Sequence, residues 1–380
     1  MDSIIIFWGS KRDFEKYVNA EITDGETFSY FMEVVQDYNS RLRPNAALGD
    51  EDRKRRFTVD NLIVRASDYA SVMEHVIYNF VNTILLNHDI TRMFLHNPPN
   101  TIVRALKVLM GDVIEEKYTE YVKIDRDYLR DVHLNLQQNI VGQSLAKDSI
   151  IASIYKACNK KENKPIVLML YGPSGIGKTE TAKEISKVLG GNMLRIQFSM
   201  MQTAEAVNYV FGSEHSKNCL ARDLLERETN IVLIDEFDKV SPQFYNAFYQ
   251  LFDEGVYADN HYCVDAKDCI FLCTTNFESP EQAASYMGAP IFSRFTDVVQ
   301  FSLLSDSEKR IIATNLYEMC INELADDERI LLQSDEILNF YLDNIHRFEN
   351  VRHIKSKIEK SVYKKLSEHF IFSDNTVQHI

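Results

Sequence analysis

Apolar and polar positions fall into two textures along the chain. After about Asp131, short fully apolar runs (Ile166–Leu170, Leu194–Phe198, Ile231–Ile234 and Ile270–Cys273) alternate with stretches of helical spacing. Uninterrupted runs of this length, separated by helices, predict strands of a parallel sheet covered on both faces. Beyond Leu304 only helical patterns follow. Ser305-Asp306-Ser307-Glu308 is a capping-box signature ahead of Ile311, Ile312, Leu316 and Met319. Two further helical stretches lie near Asp335–Ile345 and Val351–Phe370. Before Asp131 the pattern differs. Ile4–Trp8 reads as a buried strand. From Val64 to His96 and from Ile102 to Val122, apolar residues recur at three- and four-residue spacing, as in Met73, Val76, Ile77, Phe80, Val81, Ile84 and Leu85. That periodicity predicts a mostly helical N-terminal region. The charged run Asp50–Arg56 reads as a solvated linker or helix end. The expected division is residues 1–130, 131–303 and 304–380.

Composition narrows the function. The formal net charge is −14, of which residues 1–130 carry −4. A chain this acidic is not built to coat nucleic acid or anionic membrane by bulk electrostatics. No run approaches the roughly 20 apolar residues that span a bilayer. The six cysteines include no C-x-x-C pair, so neither a zinc site nor a disulfide framework is expected. A soluble cytoplasmic protein is the reading.

Chemistry concentrates in the middle of the chain. Gly172-Pro173-Ser174-Gly175-Ile176-Gly177-Lys178-Thr179 fits G-x-x-x-x-G-K-[ST], after an apolar run and before a helical pattern. Glycines let backbone N–H groups turn towards phosphate oxygens; Lys178 would meet the β- and γ-phosphates of ATP, and Thr179 would offer a hydroxyl to Mg²⁺. Ile231–Ile234 leads into Asp235 and Glu236, so a buried strand would deliver two carboxylates to the phosphate end of the sheet. Asp235 would hold Mg²⁺, and Glu236 would polarise the attacking water as general base. Asn276 follows the next apolar run, where an amide can orient that water against the γ-phosphate.

Together these motifs resemble the Clp-type module of the AAA+ ATPases, the heat-shock branch that includes the bacterial disaggregase and torsin. The resemblance covers about residues 131–372 in family order. Asn139-Ile140-Val141-Gly142-Gln143 is similar to the entry motif, which places Val141 near adenine. The phosphate loop matches through the less common Glu180, and Asp235-Glu236-Phe237-Asp238-Lys239 resembles the extended acidic motif. Pro290–Phe301 is similar to the segment bearing the arginine finger, which assigns that role to Arg294. Asn350-Val351-Arg352 resembles the sensor motif Gly-Ala-Arg, so Arg352 would reach the γ-phosphate from a helical lid. The resemblance implies an α/β parallel-sheet core with a small C-terminal lid, and a homo-oligomeric ring, commonly of six subunits.

The family's aromatic grip loop is not matched. Asn208–Asn218 is shortened and has no aromatic at the expected tip; in a second loop, Gly255–Tyr262, Tyr257 and Tyr262 are candidates to line a pore. The favoured function is ATP-driven remodelling or unfolding of a protein, with residues 1–130 selecting the target or a dedicated partner. The alternative is an ATP-gated assembly switch or scaffold, as in some bacterial defence ATPases, that activates a partner effector without threading.

Overall fold

The computed structural model describes residues 1–23, 25–42, 57–122, 124–159, 164–201, 203–212, 218–332 and 336–373. The charged run Asp50–Arg56 lies outside them.

The N-terminal region is helix-rich, yet it is built on a sheet that the apolar periodicity did not reveal. Strands β1 (Ser3–Trp8), β2 (Phe28–Tyr30), β3 (Phe57–Val64), β4 (His88–His96) and β5 (Ile114–Tyr118) pair in the order β2-β3-β4-β1-β5, all parallel. Thus β4 and β5 occupy part of the span expected to be helical. Buried polar residues interrupt β3 and β4. Asn61 donates to Thr27 O at 2.8 Å and accepts from Arg92 Nε at 2.8 Å. His88 is joined to Ile84 O, and His96 to Gly9 O, each at 2.9 Å. Each of these three side chains has a partner, so its burial is tolerated while the apolar run is broken. The stripe from Met73 to Leu85 forms a short helix, Glu74–Tyr78, and a π-helical turn, Val81–Leu85.

The chain leaves β1 and β4 in opposite directions. Helix Lys11–Glu21 packs Phe14 and Val18 on one face of the sheet, with Ile5 and Phe7. Helix Asn100–Met110 packs Ile102 and Leu106 on the other, with Ile4 and Ile6. This is a doubly wound sheet whose switch point lies between β1 and β4, where such folds usually hold a ligand. Here Asn97 fills the crevice, accepting from Gly9 N at 2.9 Å and donating to Gly9 O at 2.8 Å.

The second sheet follows the predicted runs. Strands β6 (Ile166–Tyr171), β7 (Leu194–Gln197) and β8 (Ile231–Asp235) are followed by a hairpin, β9 (Val256–Ala258) and β10 (Cys263–Asp265), then by β11 (Ile270–Thr274) and β12 (Asp297–Gln300). The sheet order is β12-β6-β11-β8-β7, and every pair is parallel. All residues of β6, β8 and β11 are buried. Because β11 lies between β6 and β8, the loops that follow these three strands converge at one edge.

The hairpin corrects one expectation. Tyr257 and Tyr262 do not line an open surface in this chain; each is only 3% exposed. Tyr257 donates its hydroxyl to Val210 O. The hairpin also joins the two sheets, since Asn100 N donates to His261 O at 2.8 Å and Asn260 Nδ2 donates to Gly212 O at 2.8 Å. Tyr209 is buried and donates to Asp223 Oδ2 at 2.6 Å, so it is helix-end core. Ser213–Lys217, in the shortened grip stretch, lie outside the described residues.

Helices Asp306–Asn322, Glu336–Asp343 and Val351–Ser373 form the C-terminal layer around Ala313, Tyr317, Ile345, Ile354, Ile358 and Val362. The expected capping box is present: Ser305 N donates to Glu308 Oε2 at 2.7 Å, and Glu308 N to Ser305 Oγ at 3.3 Å. Among the described residues no helix is long and apolar enough to cross a membrane.

Candidate active site

The loop after β6 is shaped by glycine. Gly172, Gly175 and Gly177 have φ of +132°, +76° and +106°. A Cβ at Gly172 would sit 2.3 Å from Phe301 O, and one at Gly175 would sit 2.9 Å from Asn350 Cβ. Side chains at either position are therefore excluded by both conformation and space. Lys178 opens helix Lys178–Lys187 and is buried. Its Nζ donates to Gly172 O and Pro173 O at 2.6 Å each, and reaches Asn276 Oδ1 at 3.4 Å. Burial pushes its ammonium down to about 8, against the upward pull of Asp238 and Asp235, while Arg352 lowers it further.

The carboxylates come from β8. Asp235 Oδ1 accepts from Thr179 Oγ1 at 3.2 Å and also from Thr274 Oγ1. Its other oxygen is held by Arg195 of β7, with Nε at 3.2 Å. Glu236 has φ +56° and ψ +47°, the left-handed region that a non-glycine residue occupies at a cost of about 1–3 kcal/mol. Two contacts hold it there: Glu236 N donates to Thr274 Oγ1 at 2.9 Å, and Lys239 N donates to Glu236 O at 2.8 Å. The next residue, Phe237, is fully buried among Tyr245, Phe248, Phe252 and Phe295. Anchoring Phe237 in the core while reversing the chain at Glu236 turns the acid away from the strand. Asp238 is buried too, with one carboxylate oxygen on Lys239 at 2.9 Å and the other unpartnered.

The lid meets the loop directly. Val351 N, at the start of helix Val351–Ser373, donates to Gly175 O at 3.2 Å. Asn350 accepts from His353 N at 2.9 Å, so this side chain, at the position where the resembling family has Gly, caps the helix. Gln143 ties the entry motif to the loop and to the segment just before the lid: Nε2 donates to Ile176 O at 3.3 Å and to Ser302 O at 2.7 Å.

The pattern of the family described as AAA domain (Cdc48 subfamily) fits residues 163–371, more than half of the chain. The chain belongs to that family. The Torsin family pattern fits residues 116–208 of this AAA chain. Among curated proteins, the rat (Rattus norvegicus) mitochondrial disaggregase is 28% identical over 264 residues, 65% of this chain and 37% of that protein. A ClpA homolog protein of Fuscovulum blasticum is 31% identical over 176 residues, 44% of this chain and 22% of its own. Heat shock protein 100 of Trypanosoma brucei brucei is 25% identical over 382 residues, 90% of this chain and 42% of its own. The AAA chain thus spans well under half the length of these relatives. Among solved structures, Hsp104 with ATPγS and FITC casein superposes with a TM-score of 0.54 at 12% identity, covering 97% of this chain and 88% of the other. That likeness concerns the fold alone, an α/β core on a parallel sheet.

Within this AAA site, Gly172 to Thr179, Asp235, Glu236 and Asn276 converge at one sheet edge. Val141 lies beside the Gln143 link, and Arg352 is close enough to lower Lys178. Glu180 is exposed and pairs with Lys183 at 3.0 Å. Arg294 stands apart, 24% exposed, on Asp253 at 2.7 Å. Two residues escaped the sequence reading: Arg195, a lone cation in a short strand beside β8, and Thr274, the first polar residue after an apolar run.

The residues fit a nucleoside triphosphate. Lys178 spends its donors on neutral carbonyls and an amide, and among the described residues no carboxylate lies within ion-pair distance of it. The direction of a Gly177 Cβ meets only open space. Thr179 and Asp235 offer hard oxygen donors side by side, as Mg²⁺ prefers.

Proposed function

We propose that this chain hydrolyses ATP between neighbouring copies of itself in a ring and uses the cycle to remodel or unfold a protein. The observation that carries the reading is Glu236, held in the left-handed region by a bond to Thr274, the same hydroxyl that holds Asp235, the neighbour of Thr179. In the proposed roles, Lys178 binds the β- and γ-phosphates, while Thr179 and Asp235 hold Mg²⁺. Glu236 takes the proton of the attacking water, and Asn276 orients that water. A bound ATP–Mg²⁺ supplies the phosphoanhydride and spreads its developing charge. Val141 contacts adenine, Arg352 senses the γ-phosphate from the lid, and Arg294 reaches the nucleotide of the next subunit. Residues 1–130, 131–303 and 304–380 act as target selector, ATPase core and lid.

The names of the relatives, a disaggregase and a ClpA homolog, favour remodelling over an assembly switch. Arg294→Ala should keep ATP affinity within about threefold and lose at least a hundredfold in turnover, as expected when a guanidinium that stabilises transferring phosphate is removed. Unchanged turnover in that variant would remove Arg294 from the site. The target is approached by trapping: Glu236→Gln, purified with ATP, should retain bound polypeptide that Lys178→Ala does not. Mass spectrometry then separates a general unfoldase, with many unrelated chains, from a dedicated remodeller with one partner in fixed ratio. No polypeptide retained by either variant would refute the remodelling reading.

A further inference from the structure

Arg294 is held on three sides within its own subunit. Its Nε donates to Asp253 Oδ2 at 2.7 Å, and one terminal nitrogen donates to Pro290 O. The guanidinium lies over the ring of Tyr249, 4.5 Å from its centroid. Tyr249 and Asp253 stand four residues apart on helix Tyr245–Glu254, so both project from one face, a turn apart. The neighbouring face of that helix is immobilised, because Phe248 and Phe252 pack on Phe237, the residue after Glu236. Phe295, the residue after Arg294, joins the same cluster, 6.2 Å from Phe237 and 5.9 Å from Phe252. The second terminal nitrogen of Arg294 makes no hydrogen bond among the described residues. The guanidinium lines a cavity of about 210 Å³ whose wall also carries Lys156 and Lys164.

We propose that Asp253 and Tyr249 are positioning residues for Arg294, clamping Nε and one face of the guanidinium so that the free terminal nitrogen is presented to the neighbouring subunit's γ-phosphate. The proposal rests on the reading of Arg294 as a finger acting in trans. An arginine side chain has many rotamers, and ordering it only as charge develops would slow the step; a clamp built on a packed helix orders it beforehand. The lysines beside it keep the cavity attractive to an anion and leave Asp253 as its acidic contact. Asp253 is half exposed, so its pairing adds little to stability and its replacement should leave the fold intact.

The test uses turnover, ATP affinity and mixed assemblies. Asp253→Ala should lower turnover roughly tenfold with ATP affinity unchanged, and Asp253→Asn, which retains an acceptor for Nε, should recover most of the loss. The defect should lie in the finger a subunit offers. Lys178→Ala subunits in large excess, weakened in ATP binding but carrying an intact Arg294 clamp, should therefore raise the Asp253→Ala subunits to the rate of wild type mixed in the same ratio. If Asp253→Ala turns over at the wild-type rate while Arg294→Ala is inactive, the clamp is wrong and the finger stands. Slow turnover that Lys178→Ala does not rescue would mean that Asp253 acts within its own subunit, which also overturns the proposal. Full activity in Arg294→Ala would remove the finger itself, and the clamp with it.

Discussion

Glu236→Gln should bind ATP with an affinity within about threefold of wild type and hydrolyse it some 10²–10⁴ times more slowly, the range for loss of a positioned general base. The change is local. Gln matches Glu in size, and the two backbone contacts that hold residue 236 at φ +56° involve its N–H and C=O, which the substitution leaves alone. Phe237 remains buried, so the reversal of the chain persists. What disappears is the carboxylate, the group that accepts a proton from water. Phosphate release under saturating ATP measures the rate, and nucleotide titration measures the affinity. Turnover within threefold of wild type would move the general base elsewhere, with Asp238 as the nearest buried carboxylate bearing an unpartnered oxygen.

Lys178→Ala should weaken ATP binding by at least about a hundredfold, because bonds to charged groups contribute about 1.5–3 kcal/mol each and the ammonium would face two phosphates in the proposed role. The wild-type protein should also show a pH dependence that the variant lacks. Burial leaves the Lys178 ammonium near 8 without nucleotide, whereas a bound triphosphate favours the charged form. Below pH about 8 the site is already protonated and affinity is flat in this respect. Above it, binding must take up a proton, so affinity should fall as pH rises, approaching tenfold per unit. Calorimetry in buffers of different ionisation heat would register the uptake. Equal proton uptake by wild type and Lys178→Ala at pH 9 would assign the titration to another group.

The ATPase half was legible in the sequence because its chemistry constrains residue types at fixed spacing. A buried strand reads as an unbroken apolar run, and phosphate contact demands glycine and lysine in order. Asn276, weak evidence alone, gains meaning from β11 lying between β6 and β8, which parallel pairing delivers. Of the N-terminal sheet only β1 was legible, for the opposite reason: Asn61, His88 and His96 interrupt β3 and β4, and the bonds that satisfy them come from residues far along the chain or on other elements. Tyr257 and Tyr262 looked like loop-tip aromatics, but burial depends on what packs over a loop, which spacing along one chain does not encode. Arg195 and Thr274 belong to the same class, being set by neighbours across a sheet.

The sequence suggests a seam near residue 130, and although the buried apolar clusters keep to either side of it, several contacts cross it. Trp8 packs into the apolar cluster of the ATPase half, Arg227 lies 4.5 Å from the ring of Tyr121, and Asn100 N is spent on His261 O. A fragment trimmed to the nucleotide-binding half would carry a fresh wound: a bare apolar patch, an uncovered guanidinium and a hairpin stripped of its outer bond. Its rates and its tendency to clump would report the injury as much as the engine.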